Sequence, residues 1–209
     1  MVNTKARTIL VGDANVTIIN AGDMVINLAE VLAVPESEWR PLYGSSLEGN
    51  RPFPSQSIHI ALSGASILVD INDYVLAESL DSSYFQASYV PPPGVVEQLL
   101  AEGIRAEAIT HLVITHAHFD HYTGVTMERD GSYIPRFPHA RVLLGRADWE
   151  WSETQHALQD PVSLDSRTFG VLQMHNLLDL VSGDFDLTPE VRILAAPGES
   201  PGHQIVRVH

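Results

Sequence analysis

The stretch Thr115-His116-Ala117-His118-Phe119-Asp120-His121 constrains this chain more than any other. It sets three histidines and an aspartate within six residues, directly after the apolar run Leu112-Val113-Ile114. Imidazole nitrogens and carboxylate oxygens are ligands for divalent cations. Packed together without a cation, such side chains would leave unpaired polar groups and repel one another. In extended backbone, residues two apart point the same way, so His116 and His118 leave the strand end on one side and can share an ion. Asp120 and His121 turn away with the start of a helix and face a neighbouring position. Two ions roughly 3.5–4 Å apart can share a hydroxide and activate it at neutral pH. Of the remote residues, His203 on the turn Pro197-Gly198-Glu199-Ser200-Pro201-Gly202-His203 is best placed to complete the first group.

Composition narrows the chemistry. The chain has no cysteine, so a metal here is held by nitrogen and oxygen alone, and zinc, manganese, iron and cobalt all suit such donors. The formal charge of −14 repels phosphate backbones and anionic lipid, and the 12 Lys and Arg are scattered, so neither nucleic acid nor a membrane is an expected partner. No run reaches the eighteen or so apolar residues of a membrane span, and Met1 to Arg7 lead into a strand pattern, not a signal-peptide segment. A cytoplasmic protein is the expectation. At 209 residues, with 44% hydrophobic and 18% charged content, residues 1–209 are expected to form a single domain.

Taken in order, Thr8-Ile9-Leu10-Val11 and Val16-Thr17-Ile18-Ile19 flank a turn and predict a hairpin. Residues 35–57 are broken by Pro41, Gly44, Gly49, Pro52 and Pro54 and read as a long irregular loop. A second hairpin is expected from Ile58–Leu62 and Ser66–Asp70, with His59 a strand histidine holding a hydrogen-bond partner. The end of that strand, Asp70-Ile71-Asn72-Asp73, suits either a turn or partners for a metal-bound histidine. Val95, Val96, Leu99 and Leu100 share a helical face that Gly103 stops. Residues 110–115 read as a buried strand delivering the histidine motif, and residues 122–125 as the first turn of a helix. Residues 133–139 read as a loop and Arg141–Leu144 as a strand. A short helix over Ala147–Trp151 has Trp149 and Trp151 packed on the core or lining a pocket. Residues 155–166 are irregular, and Leu178–Val181, Val191–Ala195 and Gln204–His209 are strands. Buried strands alternating with helical segments predict an α/β layered fold.

From about Ile58 onward the chain resembles the metallo-β-lactamase superfamily. The resemblance is carried by the strand ending in Asp70, the motif His116-Ala117-His118-Phe119-Asp120-His121, and Ser200-Pro201-Gly202-His203. It implies a four-layer αββα sandwich with two divalent metal ions at one edge, zinc foremost. It assigns His116, His118 and His203 to the first ion and Asp120 and His121 to the second, with Asp120 also orienting the hydroxide and shuttling its proton. Phe119 and the segment spacing are similar to the lactonase and organophosphate-hydrolase branches. A hydrolase using metal-bound hydroxide on a lactone or related ester is therefore expected, with phosphotriester or thioester hydrolysis as the alternative. Segments 35–57 and 154–166 would shape the pocket.

Two departures stand out. Thr123 replaces the first of two glycines common after the motif, leaving Gly124. The superfamily also needs a later aspartate bridging both ions and a final histidine, yet six residues follow His203, and His209 is too near to be that histidine. The part that would carry them is expected to be missing from this sequence. The chain is then a piece of a longer protein, is completed by a second chain or a homo-oligomer, or is a non-catalytic metal-binding relative.

Overall fold

The computed structural model describes residues 6–26, 32, 34–43, 51–72 and 94–209. Its larger sheet has seven strands in the order β1-β2-β3-β4-β5-β8-β9. These are β1 (Arg7–Val11), β2 (Ala14–Ile26), β3 (Arg51–Leu62), β4 (Ala65–Val69), β5 (His111–Val113), β8 (Arg141–Gly145) and β9 (Leu178–Val181). A hairpin of β6 (Thr126–Arg129) and β7 (Ser132–Pro135) stands apart. A second sheet contains β10 (Phe185–Thr188), β11 (Val191–Ala195) and β12 (Gln204–Val208).

Strands β1 to β4 are antiparallel, while β4, β5, β8 and β9 are parallel. Parallel strands covered on both faces are apolar at every position, and alternation assigns each residue to one of two cores. Leu68, Leu112, Ile114, Val142 and Leu144 face a core shared with the helices. Ile67, Val69, Val113 and Leu143 face a second core shared with Val191 and Ile193 of the smaller sheet. Fully burying each such side chain contributes about 1.5–3 kcal/mol relative to exposure. The result is a helix–sheet–sheet arrangement among the described residues, three of the four layers of the αββα sandwich that the resemblance implies.

The helices are short: α1 (Glu36–Tyr43), α2 (Val95–Ala101), α3 (Phe119–Tyr122), α4 (Arg146–Trp149), α5 (Ser152–Ala157) and α6 (Val171–Met174). Helix α2 buries Val95 and Leu99 and ends as its sequence demands. Gly103 takes φ +80, and the N–H groups of Gly103 and Ile104 return to the carbonyls of Leu100 and Leu99. The indole of Trp149 packs on the helix-side core.

Several local expectations need correction. The expected loop over 35–57 contains α1, with Pro41 inside it, and the start of β3; residues 44–50 lie outside the described ones. Prolines fit β3 because β4 pairs only with Ile58–Leu62, so Pro52 and Pro54 sit where β3 is an edge strand. Residues 132–135 are β7 of a hairpin turned by Asp130 and Gly131 at φ +52 and +76, not a loop. Helix α3 starts within the motif at Phe119 and ends at Tyr122, and a single tight turn, Thr123–Val125, follows it in place of a longer helix. Helix α5 begins the stretch expected to be irregular, and β10 was not expected. Asp73 lies outside the described residues.

No helix among the described residues is long and apolar enough to cross a membrane.

Candidate metal centre

Because β4, β5 and β8 run parallel in register, their carboxyl ends open on one edge of the sheet, the place where open α/β sheets bind ligands. Asp70 follows β4, the histidine motif follows β5, and Asp148 follows β8 in α4. Strand β12 supplies the fourth member. The Gln204 N–H donates to the Thr115 carbonyl at 2.9 Å, and its buried side chain donates to the Ile114 carbonyl at 2.8 Å. His203 is thereby held at the same edge.

All five residues singled out in the sequence meet there. The His116 ring centroid lies 4.6 Å from that of His118, 4.0 Å from His121 and 5.0 Å from His203. Asp120 Oδ2 is 3.5 Å from His121 Nε2. Hydrogen bonds at the back of the rings fix which nitrogens look inward. The Ala196 carbonyl can only accept, so His203 Nδ1 donates to it at 3.0 Å and leaves Nε2 with a lone pair. His121 Nδ1 donates to Asp70 Oδ2 at 2.8 Å and likewise frees Nε2. The Thr115 hydroxyl donates to Asp70 Oδ2 at 2.7 Å and sits 3.2 Å from His116 Nδ1, placed to accept its proton. His116 Nε2 then faces His118 Nδ1 at 3.0 Å. Inward-facing imidazole lone pairs beside a carboxylate are a donor set that suits a divalent cation.

Charge follows geometry. Burial foremost, and then the neighbouring imidazoles of His121, His118 and His203, hold His116 down to about 3, so it is neutral at pH 7. His121 is buried as well, which alone would lower it. The hydrogen bond and charge of Asp70, with Asp120 and Glu199 behind them, outweigh burial and raise it.

The backbone of the centre is shaped by close approaches. Asp70 adopts φ +53, a left-handed conformation that aspartate tolerates better than most residues. A methyl group on Gly124 would stand 2.5 Å from Ile71 Cγ1, so glycine is required there. Thr123 is accommodated: it is fully buried and its hydroxyl donates to Asn72 Oδ1 at 3.1 Å. Asn72 in turn donates to Ser55 at 3.3 Å. Of the two roles open to the strand-end cluster, Asp70 takes that of partner to a motif histidine.

Asp148 was missed in the sequence. It is fully buried, and its carboxylate accepts from the Ala117 N–H at 2.9 Å, the Ser200 hydroxyl at 2.8 Å and the Gly202 N–H at 2.5 Å. One side chain therefore ties the backbone between His116 and His118 to the residue before His203. The signal was an acid shortly after an apolar strand: Asp148 follows the end of β8 by three residues, as Asp70 follows the end of β4 by one. Glu199 was also missed; its Oε1 lies 3.4 Å from His118 Nδ1.

His59 is a buried strand histidine, bonded through Nε2 to Ser66 Oγ at 2.8 Å, as expected. The cleft beside His203 is lined by Gly145, Arg146, Val181, Ala195 and Pro201 among others, and no described residue of 35–57 or 154–166 is among those lining it. His209 sits at the far end of β12, roughly 20 Å along the strand from His203, with its N–H on the Glu190 carbonyl. It is no part of the cluster.

The family model for the metallo-beta-lactamase superfamily matches residues 81–209. An N-acyl homoserine lactonase from Bacillus cereus is 26% identical over 110 residues, which are 53% of this chain and 37% of the relative. The matched region thus spans little more than a third of that relative's length. Among solved structures, a probable metal-dependent hydrolase from Staphylococcus aureus superposes with a TM-score of 0.73 at 20% identity, covering 96% of this chain and 70% of that one. AidC, a dizinc quorum-quenching lactonase, gives a TM-score of 0.67 at 16% identity, covering 98% and 70%. The parallel strand ends, the histidine motif after β5 and a family match over more than half of the sequence agree: this chain belongs to the metallo-beta-lactamase superfamily.

Proposed function

We propose that this chain carries the metal-binding half of a divalent-metal-dependent hydrolase that opens a lactone or a related ester. The observation that carries the reading is the packing of three imidazoles at one sheet edge: His116 Nε2 lies 3.0 Å from His118 Nδ1, and the His116 and His203 ring centroids are 5.0 Å apart. His116, His118 and His203 would hold one ion, and Asp120 and His121 would contribute to a second. Bound ions supply an acidified water and polarise the carbonyl under attack. The chain's own residues do the rest. Asp120, beside His121, takes a proton and returns it to the leaving oxygen. Asp70 and Thr115 keep the ring nitrogens turned inward.

The lactone preference draws on the Bacillus cereus relative, named as an N-acyl homoserine lactonase. Zinc is the first metal to test, in line with the dizinc neighbour AidC. The test is ring opening of N-acyl homoserine lactones, followed by NMR, with the metal-loaded protein and with His118→Ala. Turnover that is lost in His118→Ala supports the reading. Turnover of phosphotriesters or thioesters but not lactones would redirect the substrate class, and no hydrolysis of any of them would overturn the proposal.

A further inference from the structure

The histidine motif is not the whole of the donor set at this edge. Glu199 lies four residues before His203, on the same turn. One carboxylate oxygen of Glu199, one nitrogen of His116 and one nitrogen of His118 lie within 4.8 Å of one another. Donor atoms each about 2.0–2.2 Å from a single cation stand at most about 4.4 Å apart, and His118 Nδ1 lies 3.0 Å from His116 Nε2 and 3.4 Å from Glu199 Oε1.

The turn that presents Glu199 is fixed from both sides. Ser200, next in sequence, is buried and bonded through its hydroxyl to Asp148. The Gly198 N–H donates to the Ser200 carbonyl at 3.1 Å, and the Ala196 N–H donates to the His203 carbonyl at 2.8 Å. Asp148 also holds Ala117, so the backbones that carry His118 and Glu199 are tied to one carboxylate.

A surface ion pair between Glu199 and His118 does not account for this arrangement. Their separation of 3.4 Å is longer than a good N–H···O hydrogen bond. Both side chains are substantially exposed, where ion pairs add little. His118 Nδ1 is also the atom turned towards His116 Nε2 at 3.0 Å, so oxygen and nitrogen donors converge on one point.

We propose that Glu199 is a ligand of the ion held by His116 and His118, adding a carboxylate oxygen to that position. This deepens the metal-centre reading above and rests on it. Imidazoles together with a carboxylate are donors that manganese and iron share with zinc, so adding Glu199 to His116, His118 and His203 would widen the centre from zinc towards these harder ions.

The experiment is a Mn(II) titration of the chelator-stripped full chain, with free Mn(II) read by electron paramagnetic resonance. Wild type, Glu199→Gln, Glu199→Ala and His118→Ala are compared. Melting curves in chelator check that each variant is folded. Both Glu199 variants are expected to bind Mn(II) on the order of tenfold or more weakly than wild type, at least the loss typical of removing an outer partner of a ligand. Zn(II) affinity should fall by a smaller factor. Wild-type Mn(II) affinity in either folded Glu199 variant, alongside a loss in His118→Ala, overturns the Glu199 assignment and leaves the centre standing. Unchanged binding in His118→Ala overturns both.

Discussion

The buried carboxylate of Asp148 accepts a hydrogen bond from the backbone N–H of Ala117 at 2.9 Å, fixing the residue that separates His116 from His118. The same side chain holds Ser200 and Gly202 beside the His203 turn. Asp148→Asn puts an amide N–H against donors that need an acceptor, and a buried unsatisfied donor costs about 1–3 kcal/mol. The expected outcome is a lower melting temperature together with metal affinity reduced roughly 10–100-fold. Calorimetric titration of the folded variant checks it, and wild-type affinity would show that Asp148 serves stability alone.

Asp70 and His121 offer a cleaner separation of effects. Asp70 sits at φ +53, and asparagine tolerates that conformation while lacking the charge. Asp70→Asn should keep the turn but weaken the orientation of His121, with ion binding at the Asp120–His121 position falling about 10–100-fold. Binding through His116, His118 and His203 should change less. A biphasic titration of wild type that loses its second phase in Asp70→Asn is the expected signature.

The four strand ends could be read in part from sequence. The apolar runs of β4, β5 and β8 were legible because a strand buried on both faces needs a continuous apolar stretch. The motif after β5 was legible because its four donors fall within six residues. Asp148 was not, because a lone acid after a strand looks like any solvated helix start until the fold brings Ala117 and Ser200 to it. The misreading of 35–57 has a similar origin. Pro52 and Pro54 argue against a strand unless β4 is known to stop short of them, and strand length mismatch is a property of pairing, not of local sequence.

His59 predicts a pH dependence of stability away from the metal centre. Burial lowers it from 6.5, so between that value and the lowered one the unfolded chain binds more protons than the folded chain. Its contribution is complete above about pH 6.5 and is lost as the pH falls through the window below. Melting temperatures of wild type should therefore drop more steeply from pH 7.5 to pH 5 than those of His59→Gln. Parallel curves would contradict a buried neutral His59.

Gly145 links β8 to the His203 turn by close contact. A Cβ there would stand 2.0 Å from the Gly202 carbonyl oxygen, which is backbone and cannot swing aside. Gly145→Ala is expected to destabilise the fold by about 1–3 kcal/mol and to shift His203 away from His116. Thermal melts in chelator test the first effect. The second appears as weaker metal binding at a temperature where the variant is folded.

We propose that His116, His118 and His203 together hold a divalent ion, and metal content measures this most directly. Protein stripped with chelator, reloaded with zinc and passed through gel filtration should retain at least one ion per chain by elemental mass spectrometry. His116→Ala and His203→Ala, checked for folding, should each lose it. Retention of the ion in both variants, or no retention by the wild type, would contradict the account.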